Sequence, residues 1–599
     1  MKIGIEIHQR LGTKEKLFCH CPANAEGRKI RHIYRRQRPI AGELGEVDPA
    51  TMYEYFRDRV FEYSVSEMTC MVETDSDFPF PVNKEALEIA FQIAMLFKMD
   101  VPDTAYIMRK IVTDGSNTSG YQRTILIGLG NENSVVPTSQ GSVKISTLQL
   151  EEESAVPFGN DGFISYNVDR LGIPLVEIGT EADIKTPEQA LEVAEYIGTL
   201  LRSVKVARGI GTIRQDVNVS IPEGNRVEIK GFQDLKNIPL LIKNEMNRQK
   251  ALLEIKKKLN GKNMKKREIK LVTKTFENSK CSLVSDALGN DNGVLGVVLP
   301  EIREFMKMDC GGHTFGKELS FYVHAYGLKG MIHSEEDMEK YNLKDEFMKL
   351  DSELHKNEKD VIAILIGEEK TIRKAADALL NRIEFLYNGI PKETRVALPD
   401  ATTKYTRPLP GSGRLYPETD LPNLKVDKNY LNIVKKNIPL TLFEKMKILE
   451  AQLPKELATQ LIRSKYLELY DHLIKRRIEP KLAATILLTI FTDLKRQGVA
   501  VDEISKDRIF SLLKVVDKKI SKDVLPNALT MLAHGKSLDQ VCDKYGLLPQ
   551  SKLKEMVLKI MAEKPGLNEK ALIGLVMSNA KGRVSGKQTA EMINRAMKK

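Results

Sequence analysis

Three acidic motifs lie far apart in the chain, and each occurs in or beside an apolar, strand-like run. They are Glu6-Ile7-His8, Glu151-Glu152-Glu153 and Pro174-Leu175-Val176-Glu177. Successive side chains of a strand point to opposite faces, so Glu6 and His8 share one face. Buried carboxylates without partners are rare, whereas several carboxylates with a histidine suit a hard divalent cation. The motifs therefore predict a Mg²⁺ site that handles the phosphates of ATP.

Other interpretations of the same motifs stay open at this point. Glu6 and His8 also fit a surface pair on an edge strand that binds no metal. Within the run 151–153, alternation places Glu152 on the face opposite to its two neighbours, so the residue that faces a metal is ambiguous. The sequence contains no G-x-x-x-x-G-K-[ST] motif, so ATP would have to bind without a P-loop.

Two further segments carry polar groups: the first suits phosphate or the terminal adenosine of a nucleic acid, and the second fits a shared polar site. The segment Ser119-Gly120-Tyr121-Gln122-Arg123 offers a glycine for close backbone approach, an amide and a guanidinium. Arg214, Asp216 and Asn218 alternate along one strand-like run and therefore share a face. The alternatives are a polar hairpin turn for the first segment and a solvated strand face for the second.

Composition indicates a folded chain of several domains with a preference for polyanions. A length of 599 residues exceeds what one core supports, and 42% hydrophobic with 29% charged residues is ordinary for folded proteins. The net charge of +11 favours a nucleic-acid partner, although a generally lysine-rich composition explains it equally well. Residues 551–599 contain eleven Lys or Arg against four Asp or Glu.

The elements that must position the polar motifs change in character along the chain. Residues 1–275 show strand-like runs and helices, whereas 276–394 are glycine-rich around one apparent strand and one helix. From about 425 the pattern becomes helical, and apolar residues recur every three or four positions across 482–494. We therefore expect an α+β multidomain protein, with a mixed α/β domain, an inserted α+β domain and all-α domains after them.

The motifs together resemble those of one family. The segments Ile3–Leu11, Leu17–Pro22, Asp114–Thr124 and Gly211–Ser220 are similar to the E subunits of archaeal glutamyl-tRNA(Gln) amidotransferases, relatives of the B subunit of the bacterial three-subunit enzyme. The resemblance runs in order from residue 1 to residue 599. It implies a catalytic cradle at 1–275 completed by 395–424, an aspartyl-tRNA-synthetase-like insertion at 276–394, a helical domain at 425–504 and a helical tRNA-binding tail at 505–599.

The resemblance implies an activity for the whole chain. This is the ATP-dependent conversion of glutamyl-tRNA(Gln) to glutaminyl-tRNA(Gln), in which the γ-carboxylate of the tRNA-bound glutamate is phosphorylated and then amidated. ATP and Mg²⁺ would be needed. The sequence shows no amidase signature of its own, and the resemblance implies that the asparaginase-like D subunit supplies the ammonia. The rival functions are an enzyme like the B subunit that also acts on aspartyl-tRNA(Asn), and a tRNA-binding protein without catalysis.

The resemblance also implies roles for individual residues. The metal ligands would be Glu6, His8, Glu152 and Glu177, with Glu152 chosen from its run by resemblance. The catalytic residues would be Glu152, Arg214 and Asp216. Candidates for contacts with ATP or the tRNA 3′ end are Tyr121, Gln122, Arg123, Asn218, Lys230, Arg414 and Glu418. Candidates for tRNA contacts in the tail are Lys581, Arg583 and Lys587, which a solvated basic surface would also explain.

The cysteines and the absence of long apolar runs limit the cellular context. Six cysteines do not make a disulfide scaffold in a chain of this length. Cys19, Cys21 and Cys70 form an incomplete zinc set that His20 or His32 would have to complete, and a reduced thiol cluster is an alternative, so zinc is not assigned. No signal-like start or run of about 18 apolar residues occurs, so we expect a cytoplasmic protein without a membrane span.

Overall fold

The computed structural model of the chain describes residues 1–24, 26–158, 164–260, 268–288, 292–580, 583–584 and 586–597, without the side chains of Ser412 and Lys587. It divides into two compact units, Met1–Pro439 and Leu440–Lys599. The first unit combines large sheets with helices, and the second contains helices, so the expected α+β multidomain class is confirmed. No helix within the described ranges is long and apolar enough to cross a membrane.

The strands of the described residues all lie in the first unit. In chain order they are β1 (Lys2–Arg10), β2 (Lys29–Arg35), β3 (Phe61–Ser66), β4 (Thr104–Ala105), β5 (Ile107–Ile111), β6 (Tyr121–Leu129), β7 (Val135–Thr138), β8 (Gly141–Glu152), β9 (Val156–Phe158), β10 (Ile164–Asn167), β11 (Pro174–Thr180), β12 (Ile213–Ser220), β13 (Val227–Phe232), β14 (Ile269–Leu271), β15 (Gly293–Leu299), β16 (Ile332–His333), β17 (Val361–Gly367), β18 (Glu393–Ala397), β19 (Thr403–Pro408), β20 (Leu415–Pro417) and β21 (Leu424–Lys425).

The helices are distributed over both units. Those of the first unit are α1 (Pro49–Arg57), α2 (Lys84–Leu96), α3 (Pro187–Leu201), α4 (Ile238–Leu259), α5 (Thr273–Phe276), α6 (Ser282–Leu288), α7 (Phe315–His324), α8 (Lys344–Glu353), α9 (Glu369–Leu386) and α10 (Lys428–Lys436). Those of the second unit are α11 (Leu442–Glu450), α12 (Lys455–Arg463), α13 (Leu467–Lys475), α14 (Pro480–Thr485), α15 (Phe491–Arg496), α16 (Lys506–Val515), α17 (Leu525–Ala533), α18 (Leu538–Tyr545), α19 (Gln550–Glu563), α20 (Glu569–Asn579) and α21 (Gly586–Met597).

One large sheet organises the first unit. Its strand order is β19-β18-β13-β12-β1-β11-β8-β6-β5-β20, with β7 paired to the side of β8. The pairing is antiparallel throughout, except between β13 and β18. β1 therefore lies near the centre of the sheet, between β11 and β12.

Helices cover one face of this sheet. α2 packs on β6 and β8, and α3 packs on β1. α3 begins where Thr186 caps its first turn, because the Thr186 hydroxyl accepts a hydrogen bond from the Gln189 amide and Pro187 occupies the first helical position. Alternate residues of β1 enter the core against these helices, and they are Ile3, Ile5 and Ile7. The intervening residues of β1 consequently project from the other face.

Two four-stranded sheets complete the main layers of the first unit. One has the order β2-β3-β10-β9, and the other has the order β14-β15-β17-β16. After α9, the strands β18, β19 and β20 return the chain to the large sheet. The expected domain boundaries at 275, 394, 424 and 504 stay predictions, because the structure separates only the two units divided after Pro439.

A buried ionic network joins three of these elements. Arg248 of α4 and Arg395 of β18 both bind Glu318 of α7, at 2.8 and 2.7 Å. Glu245 and Glu393 complete the network, and the five side chains are at most 1% exposed. Removing one partner of a buried ion pair strongly destabilises the fold, because the remaining charge stays desolvated.

The second unit contains two apolar cores. One is built from residues between Leu442 and Val541, and the other from residues between Leu553 and Ile593. The apolar spacing across 482–494 corresponds to a continuous helical run, in which α14 and α15 are joined by a π-helical turn at Ile486–Ile490. Its buried face is formed by Ala483, Ala484, Ile486, Leu487, Phe491 and Leu494.

The ionic network gives a stability prediction. Glu318→Gln should destabilise the first unit by about 3–5 kcal/mol, because two buried arginines lose a shared carboxylate. The measurement is the urea midpoint of the transition that belongs to this unit. Glu254→Gln is the matched control, since Glu254 forms an exposed pair with Lys258 and should change stability by less than about 1 kcal/mol. Equal effects of the two substitutions would contradict the assignment.

Candidate functional site

The register of the central strands brings the acidic motifs to one face. His8 of β1 lies opposite Glu177 of β11 on one side and opposite Arg214 of β12 on the other. Glu6 lies opposite Asp216. Residues directly opposite each other in antiparallel strands point to the same face, so these five side chains project together from the face that α2 and α3 leave uncovered.

The same rule extends the polar face outward along the sheet. Gln149, two residues before Glu151 on β8, pairs with Glu177, so Glu151 shares that face. Glu151 in turn lies opposite Thr124 of β6, and Gln122 lies opposite Lys110 of β5. The result is an open cleft of about 780 Å³. Its charged lining residues are Glu6, His8, Lys110, Asp114, Glu151, Glu177, Arg214, Asp216, Glu228, Lys230, Arg407 and Arg414.

A first group of potential metal ligands consists of His8, Glu151 and Glu177. One ligand atom from each lies within 4.8 Å of the others. His8 Nε2 and Glu177 Oε2 are 3.0 Å apart. The ammonium of Lys110 contacts Glu151 Oε1 and lies 3.5 Å from Glu177 Oε2. The Gln122 amide donates to Glu151 Oε2 at 3.0 Å.

A second group consists of Glu6, Asp216 and Glu228, again with one ligand atom each within 4.8 Å of the others. Lys230 Nζ binds Asp216 at 3.0 Å and Glu228 at 2.9 Å. The Asn218 amide donates to Glu6 Oε1 at 3.0 Å. Of the predicted four-residue set, His8 and Glu177 thus fall in the first group and Glu6 in the second, whereas Glu152 is in neither.

The electrostatics of the cleft follow from burial and from these pairings. Burial, together with the charges of Glu177 and Glu228, raises the pKa of Glu6 to about 7. Burial also opposes ionisation of Asp216, but Lys230 and His8 lower the pKa of Asp216 to about 2. Burial likewise opposes a charged Glu177, yet Lys110 and His8 hold its pKa well below the ordinary value. Asp216 and Glu177 are therefore ionised and available to cations.

The structure places Glu152, the chosen member of the 151–153 run, outside the cleft. Glu152 pairs across β11 with Pro174 and points to the opposite face of the sheet, where its carboxylate accepts from the Arg123 amide at 3.1 Å. Glu151 occupies the position in the cleft instead. The physical reason is the two-residue period of the strand, which lets only one of two adjacent glutamates face the cleft.

Three further candidates share the location of Glu152 and do not line the cleft. Arg123 binds Glu418 through Nε at 2.6 Å, and Arg109 binds Glu418 as well. The Tyr121 ring lies beneath both guanidinium groups, with the Arg109 group 4.6 Å from the ring centroid. Glu418 thereby fastens the segment after β20 to β5 and β6. Tyr121, Arg123 and Glu418 support the wall of the site rather than its interior.

Most of the remaining candidates lie in or beside the cleft. Gln122, Arg214, Asp216, Lys230 and Arg414 line the cleft, and Asn218 binds Glu6 at its edge. In the tail, the Arg583 guanidinium donates to the carbonyl of Gly546 at 2.9 Å, which holds two segments of the second unit together. Lys581 lies outside the described residues, and the side chain of Lys587 is not described. The tRNA role of these tail residues stays a prediction.

The three cysteines of the incomplete zinc set come together, with a fourth ligand that the sequence did not indicate. Cys19, Cys21 and Cys70 offer sulfur atoms within 4.8 Å of one another and of a carboxylate oxygen of Glu73. Hydrogen bonds from Cys19 and Cys21 hold the pKa of the Cys70 thiol well below its ordinary value. His20 and His32 instead pair with Glu15 and Glu62. Three sulfurs and one oxygen form a donor set of the kind that zinc accepts.

The sequence reasoning missed several residues of the cleft. Lys110 lies within β5 and is the cation closest to Glu151, and Glu228 belongs to the second carboxylate group. Asp114 and Arg407 form an ion pair of 3.4 Å at the rim. Lys110 in the strand-like segment Ile107–Ile111 was the available signal. Glu228 meets Glu6, and Asp114 meets Arg407, only in the folded chain, since these partners are far apart in the sequence.

The donor atoms fit a hard divalent cation. The first group offers carboxylate oxygens, which Mg²⁺ prefers, and one imidazole nitrogen. His8 Nδ1 is buried and has no hydrogen-bond partner among the described residues. Buried polar atoms of proteins are usually satisfied, so this nitrogen is consistent with an additional ligand in the cleft. The strand pairing alone brings His8, Glu151 and Glu177 together, and no strand has to shift.

Two family models match most of the chain. Residues 1–432 match the GatB/GatE catalytic domain, and residues 468–597 match the GatB domain. Because the first match covers more than half of the chain, the protein belongs to the GatB/GatE family. The resemblance found in the sequence motifs is thereby confirmed.

Individual relatives are similar over nearly the whole chain. A protein of Methanocaldococcus jannaschii is 38% identical over 625 residues, covering 100% of this chain and 98% of its own. A protein of Sulfurisphaera tokodaii is 37% identical over 619 residues, covering 99% and 98%. A protein of Saccharolobus solfataricus is 37% identical over 626 residues, covering 100% and 98%. Each of these relatives is named as the E subunit of a glutamyl-tRNA(Gln) amidotransferase.

The two adjacent glutamates provide a matched test of the metal site. Glu151→Gln should weaken Mn²⁺ binding by at least about tenfold, because it removes a charged ligand from the group around His8. Glu152→Gln should leave Mn²⁺ affinity within about twofold, since its carboxylate lies on the other face. The measurement is titration followed by electron paramagnetic resonance, with thermal melts to verify folding. Loss of affinity in the Glu152→Gln variant alone would contradict the assignment.

Proposed function

We propose that this chain is the subunit of a glutamyl-tRNA(Gln) amidotransferase that activates the tRNA-bound glutamate with ATP and amidates it. The observation that supports this most is the pair of carboxylate groups around β1, flanked by lysines and arginines within a GatB/GatE catalytic domain. The names of the relatives give the substrate, glutamyl-tRNA(Gln), and the type of reaction.

The chemistry requires two displacements. In the first, an oxygen of the glutamate γ-carboxylate attacks the γ-phosphorus of ATP, the bond to the bridging oxygen breaks, and ADP leaves. In the second, ammonia attacks the resulting acyl phosphate at carbon, the carbon–oxygen bond breaks, and phosphate leaves as the nitrogen loses a proton. Phosphoryl transfer depends mainly on positioning and on neutralising charge. The site must therefore hold both cations and anions in fixed places.

The two groups of carboxylates suit the binding of Mg²⁺. His8, Glu151 and Glu177 would hold Mg²⁺, and Glu6, Asp216 and Glu228 offer a second position. Bound Mg²⁺ would supply charge neutralisation for the phosphates of ATP. Without it, Lys110 and Lys230 balance the same carboxylates, and this keeps the ligands ionised and aligned before substrates arrive.

The basic side chains of the cleft suit the binding of the negatively charged substrates. Arg214, Arg407 and Arg414 line the cleft and carry fixed positive charge at any physiological pH. Guanidinium groups bind phosphate oxygens in pairs of hydrogen bonds. Asp216 accepts from both Lys230 and the Gly231 amide at 2.8 Å, so it orients Lys230 rather than acting as a free base. We assign catalysis to Glu151, Arg214 and Asp216 in these roles, with Glu151 replacing Glu152.

Ammonia and tRNA binding involve other parts of the assembly. The relatives are named as subunits, and we infer that a second subunit, an asparaginase-like amidase, releases ammonia from glutamine. The helical residues 468–597, which match the GatB domain, would contact the tRNA away from its reactive end. The excess of basic residues across 551–599 supports this role.

Incubation of the purified chain with glutamyl-tRNA(Gln), ATP, Mg²⁺ and ammonium chloride tests the proposal. We expect glutaminyl-tRNA that depends on ATP, because ammonium chloride replaces the amidase partner. Asp216→Asn should lower kcat by about 10²–10³-fold, since Lys230 loses its orienting charge. The product is measured by chromatography of the released amino acid.

Two controls accompany this assay. Aspartyl-tRNA(Asn) replaces the substrate in a parallel reaction, and product from both tRNAs would point to the rival enzyme of broader specificity. Wild-type chain that binds glutamyl-tRNA(Gln) yet forms no glutaminyl-tRNA with excess ammonium would contradict the proposal. Asp216→Asn with wild-type kcat would contradict the role of the second carboxylate group.

A further inference from the structure

A second cavity of the first unit lies outside the cleft and is basic and aromatic. We call it the basic groove; it has a volume of about 770 Å³. It is formed by the end of β2, the residues that follow it, and the end of α1. Its lining residues are Arg36, Gln37, Arg38, Glu54, Tyr55, Phe56, Asp58, Arg59, Phe61 and Thr113.

The charge of the basic groove and its margins is strongly positive. Two carboxylates line it: Asp58 pairs with Arg36 at 2.6 Å, and Glu54 pairs with Arg59 and with Arg57 at 3.2 Å. Arg38 is exposed and has no ion-pair partner among the described residues. Helix α9 adds Lys370, 3.9 Å from Asp58, and Lys374, which donates to the Phe56 carbonyl at 2.7 Å. Six cations thus face two carboxylates.

Exposed aromatic rings accompany these charges. Phe56 is 60% exposed and Tyr55 is 41% exposed, and their ring centroids are 5.8 Å apart. An exposed phenylalanine at the end of a helix gains nothing from the folded chain's own core. Unpaired bases stack on such rings, and basic side chains hold the phosphates between them.

The basic groove adjoins the catalytic cleft. Thr113 lines the groove, whereas its neighbours Val112 and Asp114 line the cleft, so one backbone segment separates the two cavities. Gln37 fixes this segment, because its side chain accepts from the Gly115 amide at 3.3 Å and donates to the Asn117 carbonyl. A nucleotide held in the groove beside Thr113 is therefore separated from the cleft by one backbone segment.

We infer that the basic groove binds the single-stranded 3′ end of the aminoacyl-tRNA and directs the amino acid into the cleft. This inference rests on the proposed function, which requires an aminoacyl group at the carboxylate groups around β1. Arg36 and Arg38 contact the phosphates, and Phe56 and Tyr55 stack on the unpaired bases. The double-stranded part of the tRNA stays outside, since a stacking surface accepts bases that have no partner.

The test compares two labelled RNA hairpins that differ only in a four-nucleotide 3′ overhang. Wild-type chain should bind the overhang hairpin more tightly than the blunt one. Phe56→Ala should weaken binding of the overhang hairpin by about tenfold and leave the blunt hairpin unchanged, because one stacking contact is lost. For the overhang hairpin, the slope of the logarithm of the binding constant against the logarithm of salt concentration should become shallower by about two in the Arg36→Ala/Arg38→Ala variant.

A matched control uses two exposed lysines on the helix-covered side of the sheet. Lys435→Ala/Lys436→Ala removes the same charge from α10, which packs on α2, and should bind both hairpins as wild type does. Because Arg36, Arg38 and Phe56 are exposed, melting temperatures should stay close to wild type in all variants. Unchanged overhang affinity in both groove variants would overturn the inference. The same result is expected if a protein partner, and not RNA, occupies this surface.

Amidation kinetics separate this inference from the proposed function. The groove variants should raise KM for glutamyl-tRNA(Gln) about tenfold while kcat stays within about twofold of wild type. If wild-type chain forms product and the groove variants keep its KM, the groove inference fails and the function stands. If wild-type chain binds the overhang through the groove and forms no product, the function fails and the groove assignment stands.

Discussion

The balance between buried carboxylates and the cations of neighbouring strands is the interaction on which the first unit depends. β1 places Glu6 and His8 on the face opposite to Ile3, Ile5 and Ile7, so one strand serves the core and the site. Each carboxylate group has a lysine at hydrogen-bond distance, Lys110 in one and Lys230 in the other. Without these charges, desolvation would favour the protonated acids and the site would lose its ligands.

The two faces of the large sheet have different roles: one carries the cleft, and the other carries a supporting cluster of ion pairs. Adjacent residues of β8 go to different sites: Glu151 enters the cleft, and Glu152 joins Arg123 in the cluster that fastens the chain after β20. The position of the cleft is therefore fixed by ordinary strand geometry, and the supporting cluster gives it a rigid wall. The GatB/GatE family assignment rests separately on the matches to residues 1–432 and 468–597.

Local patterns in the sequence indicated which residues share a strand or helix face, whereas the site depends on long-range pairing. Alternation placed Glu6 with His8 and Arg214 with Asp216, and apolar spacing indicated the helical run across 482–494. The choice between Glu151 and Glu152 depends on the pairing of β8 with β11, which no local pattern contains. Lys110, Glu228 and Glu73 were missed for the same reason, because each meets its partners across strands or loops that are distant in sequence. Motif resemblance supplied the family, but it did not supply the orientation of individual side chains.

The central claim is that the carboxylates around β1 hold a divalent cation for the reaction of ATP. Anomalous diffraction from crystals of the chain soaked with Mn²⁺ and a non-hydrolysable ATP analogue tests this claim most directly. We expect a manganese peak within coordination distance of His8, Glu151 and Glu177, with the Lys110 ammonium displaced from Glu151. A peak-free cleft in which Lys110 still binds Glu151, although the nucleotide is present, would contradict the account.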